Sequence, residues 1–501
     1  MSRSKPPILP TTGPAPDLLN LEPVPDLLRR VRSELSASFV AGRPIRVSRA
    51  PGRLDVMGGI ADYTGSLVCE ATLDRAAAVA IQRREDRQVQ IISLNLLDEN
   101  QPFTLTMALD DLARTSIDML RGELDEPGRR WGGYLLGCLA VLHEQGLVDL
   151  RSQDVSGMNV ALLSTVPLGA GVSSSAAIEV ATMIGLMDEL GIARSLAGPV
   201  DPMRVASLCQ RVENHVVGAP CGIMDQATSC YGQAGELLRL VCQPHELQPS
   251  LKLPAGIRAI GINSNVKHSV GGGQYGITRC AAFMGHKMIL DKIAEIGRAG
   301  GRELNGDPMN GYLANLPVDD YKRMFRQFLP EFMNGGEFLQ KHGQTIDTAT
   351  RVDASIDYPV QHATDHHVLE AMRVRNFVAH ITDADTLAPG DPKRKLALDK
   401  AGHLMYASHL SYTNEAMLGA DECDALVDLV RASEPEGLYG AKITGGGSGG
   451  TVAVLADISP RADVAIEKII RLYQQKTGRS AEAFLTSSPG AWHVGSVVID
   501  P

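Results

Sequence analysis

The chain has 501 residues, of which 44% are hydrophobic and 21% charged, and its formal net charge is −10. That length exceeds one ordinary hydrophobic core and leads us to expect two domains. The composition is that of a water-soluble globular protein, and the acidic balance without a polybasic run argues against nucleic acid or an anionic membrane as partner.

Met1 to Pro25 is proline-rich and lacks the apolar core of a signal peptide, so residues 1–25 read as a disordered arm. The spacing of Leu27, Leu28, Val31 and Leu35 predicts a helix over Val24 to Phe39. A strand over Ile45 to Arg49 then leads into Ala50-Pro-Gly-Arg-Leu-Asp-Val-Met-Gly-Gly-Ile-Ala-Asp-Tyr63, where Arg53, Asp55 and Asp62 sit among glycines before a second strand, Ala76 to Gln82. Arginine in a glycine-rich turn suits a phosphate or carboxylate, because its fork donates two parallel bonds; a surface salt bridge is the plainer alternative. Val89 to Leu96 and Phe103 to Met107 read as strands, Trp131 to His143 as an apolar helix, and Val155 to Leu163 as a strand. No window holds the roughly 18 unbroken apolar residues of a membrane helix. The eight cysteines are scattered without a CxxC pair, which fits reduced thiols and a cytoplasmic location.

The chain is organised around Pro167-Leu-Gly-Ala-Gly-Val-Ser-Ser-Ser-Ala-Ala-Ile-Glu179. Gly169 and Gly171 remove side chains where the backbone must bend, and Ala177, Val180, Ala181, Ile184 and Met187 then fall at helical spacing. A glycine turn feeding a helix N-terminus gathers free N–H groups and the positive end of the helix dipole, a seat for a phosphate. A turn that merely caps a helix would use the same residues. Asp201-Pro202 opens another helix, with aspartate as cap and proline in the first position. Glu213 lies beside its buried stripe, where a carboxylate needs a cation or a metal. Asp225 follows the turn Gly218-Ala-Pro-Cys-Gly222, as a helix cap would. Ile257 to Asn263 is a strand before a second glycine cluster, Gly271 to Gly273, and Met284 to Gly297 is helical. From Gly300 to Asp365 the pattern weakens, and His362, Asp365, His366 and His367 read as a polar loop, since their spacing fits no standard zinc pattern. Helices follow over Val368 to Thr382, Lys395 to His409 and Asp421 to Ala432. Finally Ala441-Lys-Ile-Thr-Gly-Gly-Gly-Ser-Gly-Gly450 precedes a strand, Thr451 to Ala456, and five glycines there imply close backbone approach to something.

Gly445 to Gly450 satisfies G-x-G-x-x-G, but that fingerprint must open a helix and this run enters a strand. No Gly-Lys pair exists, so a Walker A loop is absent. Gly171-Val-Ser-Ser-Ser lacks the second glycine of a nucleophile elbow. A phosphate seat, an arginine, a carboxylate for metal and an aspartate near a turn are the parts phosphoryl transfer needs.

Three segments, Ala50 to Tyr63, Pro167 to Ala177 and Lys442 to Gly450, together resemble the three signatures of the GHMP family of small-molecule kinases. Glu213 to Gln226 and Asn263 to Tyr275 resemble its galactokinase branch, and within it Gly52 to Tyr63, Val212 to Gln226 and Tyr312 to Pro317 are similar to the arabinokinases. The resemblance implies an α+β, two-domain fold: a ribosomal S5 domain 2-like N-terminal domain over 26–255 and a ferredoxin-like C-terminal domain over 256–501, interrupted by an insertion around 300–365. The active site would lie in the cleft between them. It implies ATP and Mg²⁺ as cofactors and a monosaccharide substrate, L-arabinose or galactose. Gly169, Gly171, Ser173, Ser174 and Ser175 would hold the ATP phosphates, with Ser174 or Ser175 and Glu213 reaching Mg²⁺. Asp225 would face the anomeric hydroxyl with Arg53 beside it, and Asp62, Gly222, Tyr275 and the Gly445-Gly446-Gly447 run would border the sugar. One departure stands out: galactokinases carry Gly-Glu-His where this chain has Gly58-Gly59-Ile60. In that family the glutamate and histidine reach the C6 end of the hexose, so their loss suits a pentose. A sugar sensor on the same fold, or a nicotinamide dehydrogenase resting on Gly445 to Gly450, are the alternatives.

Overall fold

Two long strands carry the larger half of the molecule because nearly every residue in them is buried. The computed structural model of the chain describes residues 17–267, 273–300 and 306–499. β1 (Ile45–Met57) and β2 (Leu67–Arg83) pair antiparallel over most of their length, with register shifts between Pro51 and Arg53 and between Asp55 and Met57. β3 (Gln88–Ser93), β4 (Thr104–Ala108), β5 (Met158–Ser164), β6 (Glu236–Val241) and β7 (Glu246–Lys252) extend the sheet. β2 is long enough to serve two neighbours, pairing with β5 through Ala77–Arg83 and with β6 through Leu67–Ala71.

A second sheet starts with β8 (Ile257–Asn263). The short β9 (Met333–Asn334) and β10 (Asp357–Tyr358) pair only with each other. β11 (Leu438–Ile443), β12 (Thr451–Asp457) and β13 (Glu482–Phe484) complete a four-stranded antiparallel sheet in the order β11-β12-β8-β13. The chain then returns: β14 (Ser496–Ile499) adds to β1, so the larger sheet runs β14-β1-β2-β5-β3-β4, with β6 and β7 branching from β2. Strands and helices thus share the molecule in the α+β manner expected.

Several elements differ from expectation for readable reasons. The first helix ends at Glu34 rather than Phe39. Within the expected arm, Leu18–Asn20 is a short 3₁₀ turn capped by Asp17, with Leu18 in the core; residues 1–16 lie outside the described residues. Ala50 to Met57 is strand, not turn. Gly52 is required there because a Cβ on it would meet the Val172 carbonyl at 2.8 Å, while the Arg53 N–H donates to that same carbonyl at 3.1 Å. His362, Asp365, His366 and His367 belong to the helix Val360–Asp385, not a loop, and His366 and His367 are fully buried. Most of the glycine cluster Gly271–Gly273 lies outside the described residues.

Candidate active site

The helix Ser174–Glu189 starts where the glycine turn ends. Gly169 and Gly171 take φ of +70° and +68°, and Ser173, the residue before the helix, is left-handed at +58°. A non-glycine residue in that region costs about 1–3 kcal/mol and persists only where surroundings hold it. Here the hold is visible: the Ser173 hydroxyl donates to Asp225 Oδ2 at 2.5 Å. Asp225 sits in the first turn of Met224–Tyr231, one residue past the start, so it is not the cap its position suggested. Its Oδ1 instead accepts from Arg53 Nε at 2.8 Å and Nη2 at 2.7 Å.

Arg53 projects from β1 and is 3% exposed. Its Nη1 donates to the Gly171 carbonyl at 2.7 Å, and Glu70 Oε2 of β2 lies 3.5 Å from its Nε. Burial alone would favour the neutral guanidine, but Asp225, Glu70 and Asp55 together hold the charge more firmly than in water. The surface salt bridge weighed for this arginine is therefore replaced by a buried one.

Glu213 sits on a single wide turn, Val212–Val217, that continues Pro202–Arg211. Such π turns insert one residue and re-aim a side chain. The helix before it begins as its letters require, with Asp201 accepting from the Arg204 N–H. Glu213 Oε2 accepts from Gln226 Nε2 at 2.6 Å. Burial pushes its carboxyl up to about 7, opposed by a hydrogen bond from Ser175 and reinforced by the Asp225 charge. Among the described residues no three His, Cys, Asp or Glu side chains cluster as a metal cage. Yet Mg²⁺ needs only one or two protein oxygens when phosphates supply the rest. A buried carboxyl short of positive charge, beside serine hydroxyls, fits that ion.

Asp62 lies within the turn Gly59–Thr64 and is 5% exposed. Burial, then the Asp225 charge, raise it to about 7, against Arg279. Gly222 must be glycine, since a Cβ there would lie 1.5 Å from Asp62 Oδ2. Gly445 is pressed equally hard, with φ +66° and the Gly171 carbonyl 2.8 Å from where its Cβ would be.

All these residues border one cavity of about 160 Å³: Arg53, Asp62, Gly169, Gly171, Ser173, Ser174, Ser175, Glu213, Gly222, Asp225, Tyr275, Gly445 and Gly446 line it, with Ile60 and Cys221. Gly447 does not join them; it packs on the Leu418 backbone, where a Cβ would meet the carbonyl at 2.5 Å. Chemically, the arrangement offers a helix start for an anion and an aspartate able to accept a proton. A buried cation adjoins both. Sequence reasoning missed the polar groups behind the walls. Lys442, inside an apolar strand, pairs with Asp55 at 2.5 Å with both fully buried. Glu179, inside an apolar helix, reaches Gln226 at 3.3 Å. A charged residue inside an apolar run was the available signal for both. Arg279 is clamped by Asp347 at 2.8 and 2.9 Å, and nothing in the letters links those two.

Residues 133–233 match the GHMP kinases N terminal domain, 394–475 the GHMP kinases C terminal domain, and 37–83 the galactokinase galactose-binding signature. The chain is 36% identical to L-arabinokinase of Arabidopsis thaliana, over 93% of this chain and 48% of that protein, and so spans about half that relative's length. It is 29% identical to galactokinase of Chloroflexus aggregans, over 89% of this chain and 92% of the relative. Its fold is similar to the crystal structure of Lactococcus lactis galactokinase complexed with galactose, with a TM-score of 0.67 at 18% identity, covering 95% of this chain and 100% of that one. The shared architecture is that of a two-domain small-molecule kinase. The chain belongs to the GHMP kinases, in the sugar-kinase branch that carries the galactokinase signature.

Proposed function

We propose that this kinase transfers the terminal phosphoryl group of ATP to the anomeric hydroxyl of L-arabinose, giving L-arabinose 1-phosphate. The observation that carries the reading is the Arg53–Asp225–Ser173 constellation at a cavity bordered both by the glycine-serine turn and by the Ile60–Asp62 turn. Phosphoryl transfer asks a protein chiefly for positioning and charge. Gly169, Gly171 and Ser173 to Ser175 seat the phosphates at the helix start. Arg53 bonds both Asp225 and the Gly171 carbonyl, so its charge adjoins the proton acceptor and the phosphate turn at once. Asp225 accepts the hydroxyl proton as the bond to phosphorus forms. Asp62, Gly222, Tyr275, Gly445 and Gly446 position the sugar. Glu213 with Ser174 or Ser175 would hold Mg²⁺, which neutralises phosphate charge when bound. The reading divides the chain near 255/256 and places the enzyme in the cytoplasm, where ATP and free sugar meet.

Arabinose is preferred to galactose because Ile60, an alkyl side chain, lines the cavity. A C6 hydroxyl stranded against it loses a partner at about 1–3 kcal/mol, roughly 10–100-fold in selectivity. Galactose is the second reading, favoured by the match of residues 37–83 to the galactose-binding signature. ADP release measured over arabinose, galactose, glucuronate, fucose and a heptose decides between them. We expect arabinose to lead. Preference for galactose discards the substrate and keeps the kinase, and no ADP release with any sugar discards both. In the same assay Asp225→Asn should lower kcat by about 10²–10⁴ with sugar affinity retained; turnover like wild type removes Asp225 from its role.

A further inference from the structure

Gly59 and Tyr412 compete for one small volume. Gly59 has φ +42°, and a Cβ built on it would lie 1.8 Å from the Tyr412 hydroxyl oxygen and 2.8 Å from Cζ. Tyr412 comes from the distant helix Pro392–Asn414 and is fully buried. Its hydroxyl accepts from the Ile60 N–H at 3.0 Å and donates to the Gly445 carbonyl at 2.9 Å. The ring is packed in place as well, with Lys442 Nζ 5.1 Å from its centroid and the His366 ring edge-on at 5.1 Å.

Ile60 and Gly445 line the cavity; Tyr412 stands behind them and bonds the backbone of both. Two consequences follow from one hydroxyl group. No side chain fits at position 59 while the tyrosine is present, so a polar group cannot be presented from there. The two backbone groups that could otherwise have met an extra substrate hydroxyl are already satisfied, which leaves the Ile60 alkyl group as the face offered at this wall.

We propose that Tyr412 is a specificity-determining residue, excluding any side chain at position 59 and holding the Ile60 wall against the Gly445 loop so that the cavity rejects a sugar bearing an additional hydroxymethyl group. The proposal rests on the sugar-kinase reading above and adds the residue that enforces its substrate choice. Because the residue acts through Ile60 and Gly445, its removal moves sugar parameters and leaves those of ATP in place.

The test combines a stability cycle with a selectivity ratio. Gly59→Ala should lower Tm sharply in the wild-type background, yet cost little when added to Tyr412→Leu, because the colliding hydroxyl is gone. Tyr412→Leu alone should raise KM for sugar with KM for ATP unchanged. Tyr412→Leu combined with Gly59→Glu places a hydrogen-bond acceptor in the vacated volume. It should move the ratio of kcat/KM for galactose over arabinose toward galactose by about tenfold or more. Additive Tm losses overturn the proposal, as does a sugar ratio that stays at the wild-type value in the double variant. A wild-type chain that releases ADP with no sugar overturns the function instead, and the Tm cycle, which uses no substrate, still decides whether Tyr412 excludes a side chain at 59.

Discussion

Asp62, which we propose binds the sugar, shows how a buried carboxyl weakens the structure that holds it. It is almost wholly buried, accepts a hydrogen bond from the Tyr63 N–H at 2.7 Å, and has its pKa raised from 3.8 to about 7, first by burial and then by Asp225. A carboxyl whose folded value exceeds its unfolded value keeps a proton that the unfolded chain releases, so its stabilisation is full below about pH 4 and is lost as pH rises through about 7. Four histidines, His286, His366, His367 and His493, are shifted downward chiefly by burial and slope the opposite way. The informative quantity is therefore a difference. Asp62→Asn cannot ionise, and its Tm relative to wild type should climb as pH goes from about 5 to about 8 in the absence of sugar. Sugar KM should rise by about tenfold or more in the same variant. A difference in Tm that is flat across that range would mean Asp62 is already ionised at low pH.

At the scale of elements, two glycine-rich turns from different sheets are pressed into one another. Gly450 has φ +88°, and a Cβ on it would lie 2.5 Å from the Ala170 carbonyl, while Thr451 Oγ1 donates to that carbonyl at 2.8 Å. Gly450→Ala should therefore cost about 1–3 kcal/mol in denaturant unfolding from backbone strain alone, plus the displacement of the Gly169–Ser173 turn, and kcat should fall with it. Gly478→Ala is the control: φ +73°, but nothing within 4 Å of the added atom, so strain acts without collision. Equal losses in the two variants, with kcat untouched in both, would show that the turns are not pressed together. These turns were legible because glycine and serine runs have few other uses, and Asp201-Pro202 was legible because capping is a local affair. Ala50 to Met57 was not, since Pro51 and Gly52 speak against a strand and only the partner strand and the Val172 carbonyl overrule them. The helix Val360–Asp385 hid its start because its inward face carries His366, His367 and Glu370 where apolar letters were expected. Residues that line the cavity were named from the sequence both in turns, such as Gly169 and Asp62, and on strands and helices, such as Arg53 and Asp225. Tyr412, bonded to Ile60 across 352 residues, leaves no local mark, and Lys442 shows only as a charge inside an apolar run, with its partner Asp55 387 residues away.

Across the whole molecule, the cavity exists only while the two sheets keep one registration, and the bond best placed to set it is Asp55–Lys442. Asp55 belongs to β1 of the larger sheet and Lys442 to β11 of the smaller; both are fully buried at 2.5 Å. Asp55 also takes the Gly59 N–H at 3.0 Å, and its own N–H donates to the Thr444 hydroxyl at 2.7 Å, so the pair tethers the Gly59–Thr64 turn and the glycine loop simultaneously. Such a pair need not add stability over an apolar contact, but breaking it strands a charge away from water. Lys442→Met should cost about 3–5 kcal/mol for that reason, whereas Asp55→Asn combined with Lys442→Met leaves no ion unpaired and should recover a good part of the loss. Stability recovered in this way does not restore orientation, so the double variant should fold and still show raised KM for both sugar and ATP. If Lys442→Met unfolds at the wild-type denaturant midpoint, the sheets are registered by something other than this ion pair. If the double variant regains full kcat/KM, the pair is a packing feature with no part in shaping the cleft.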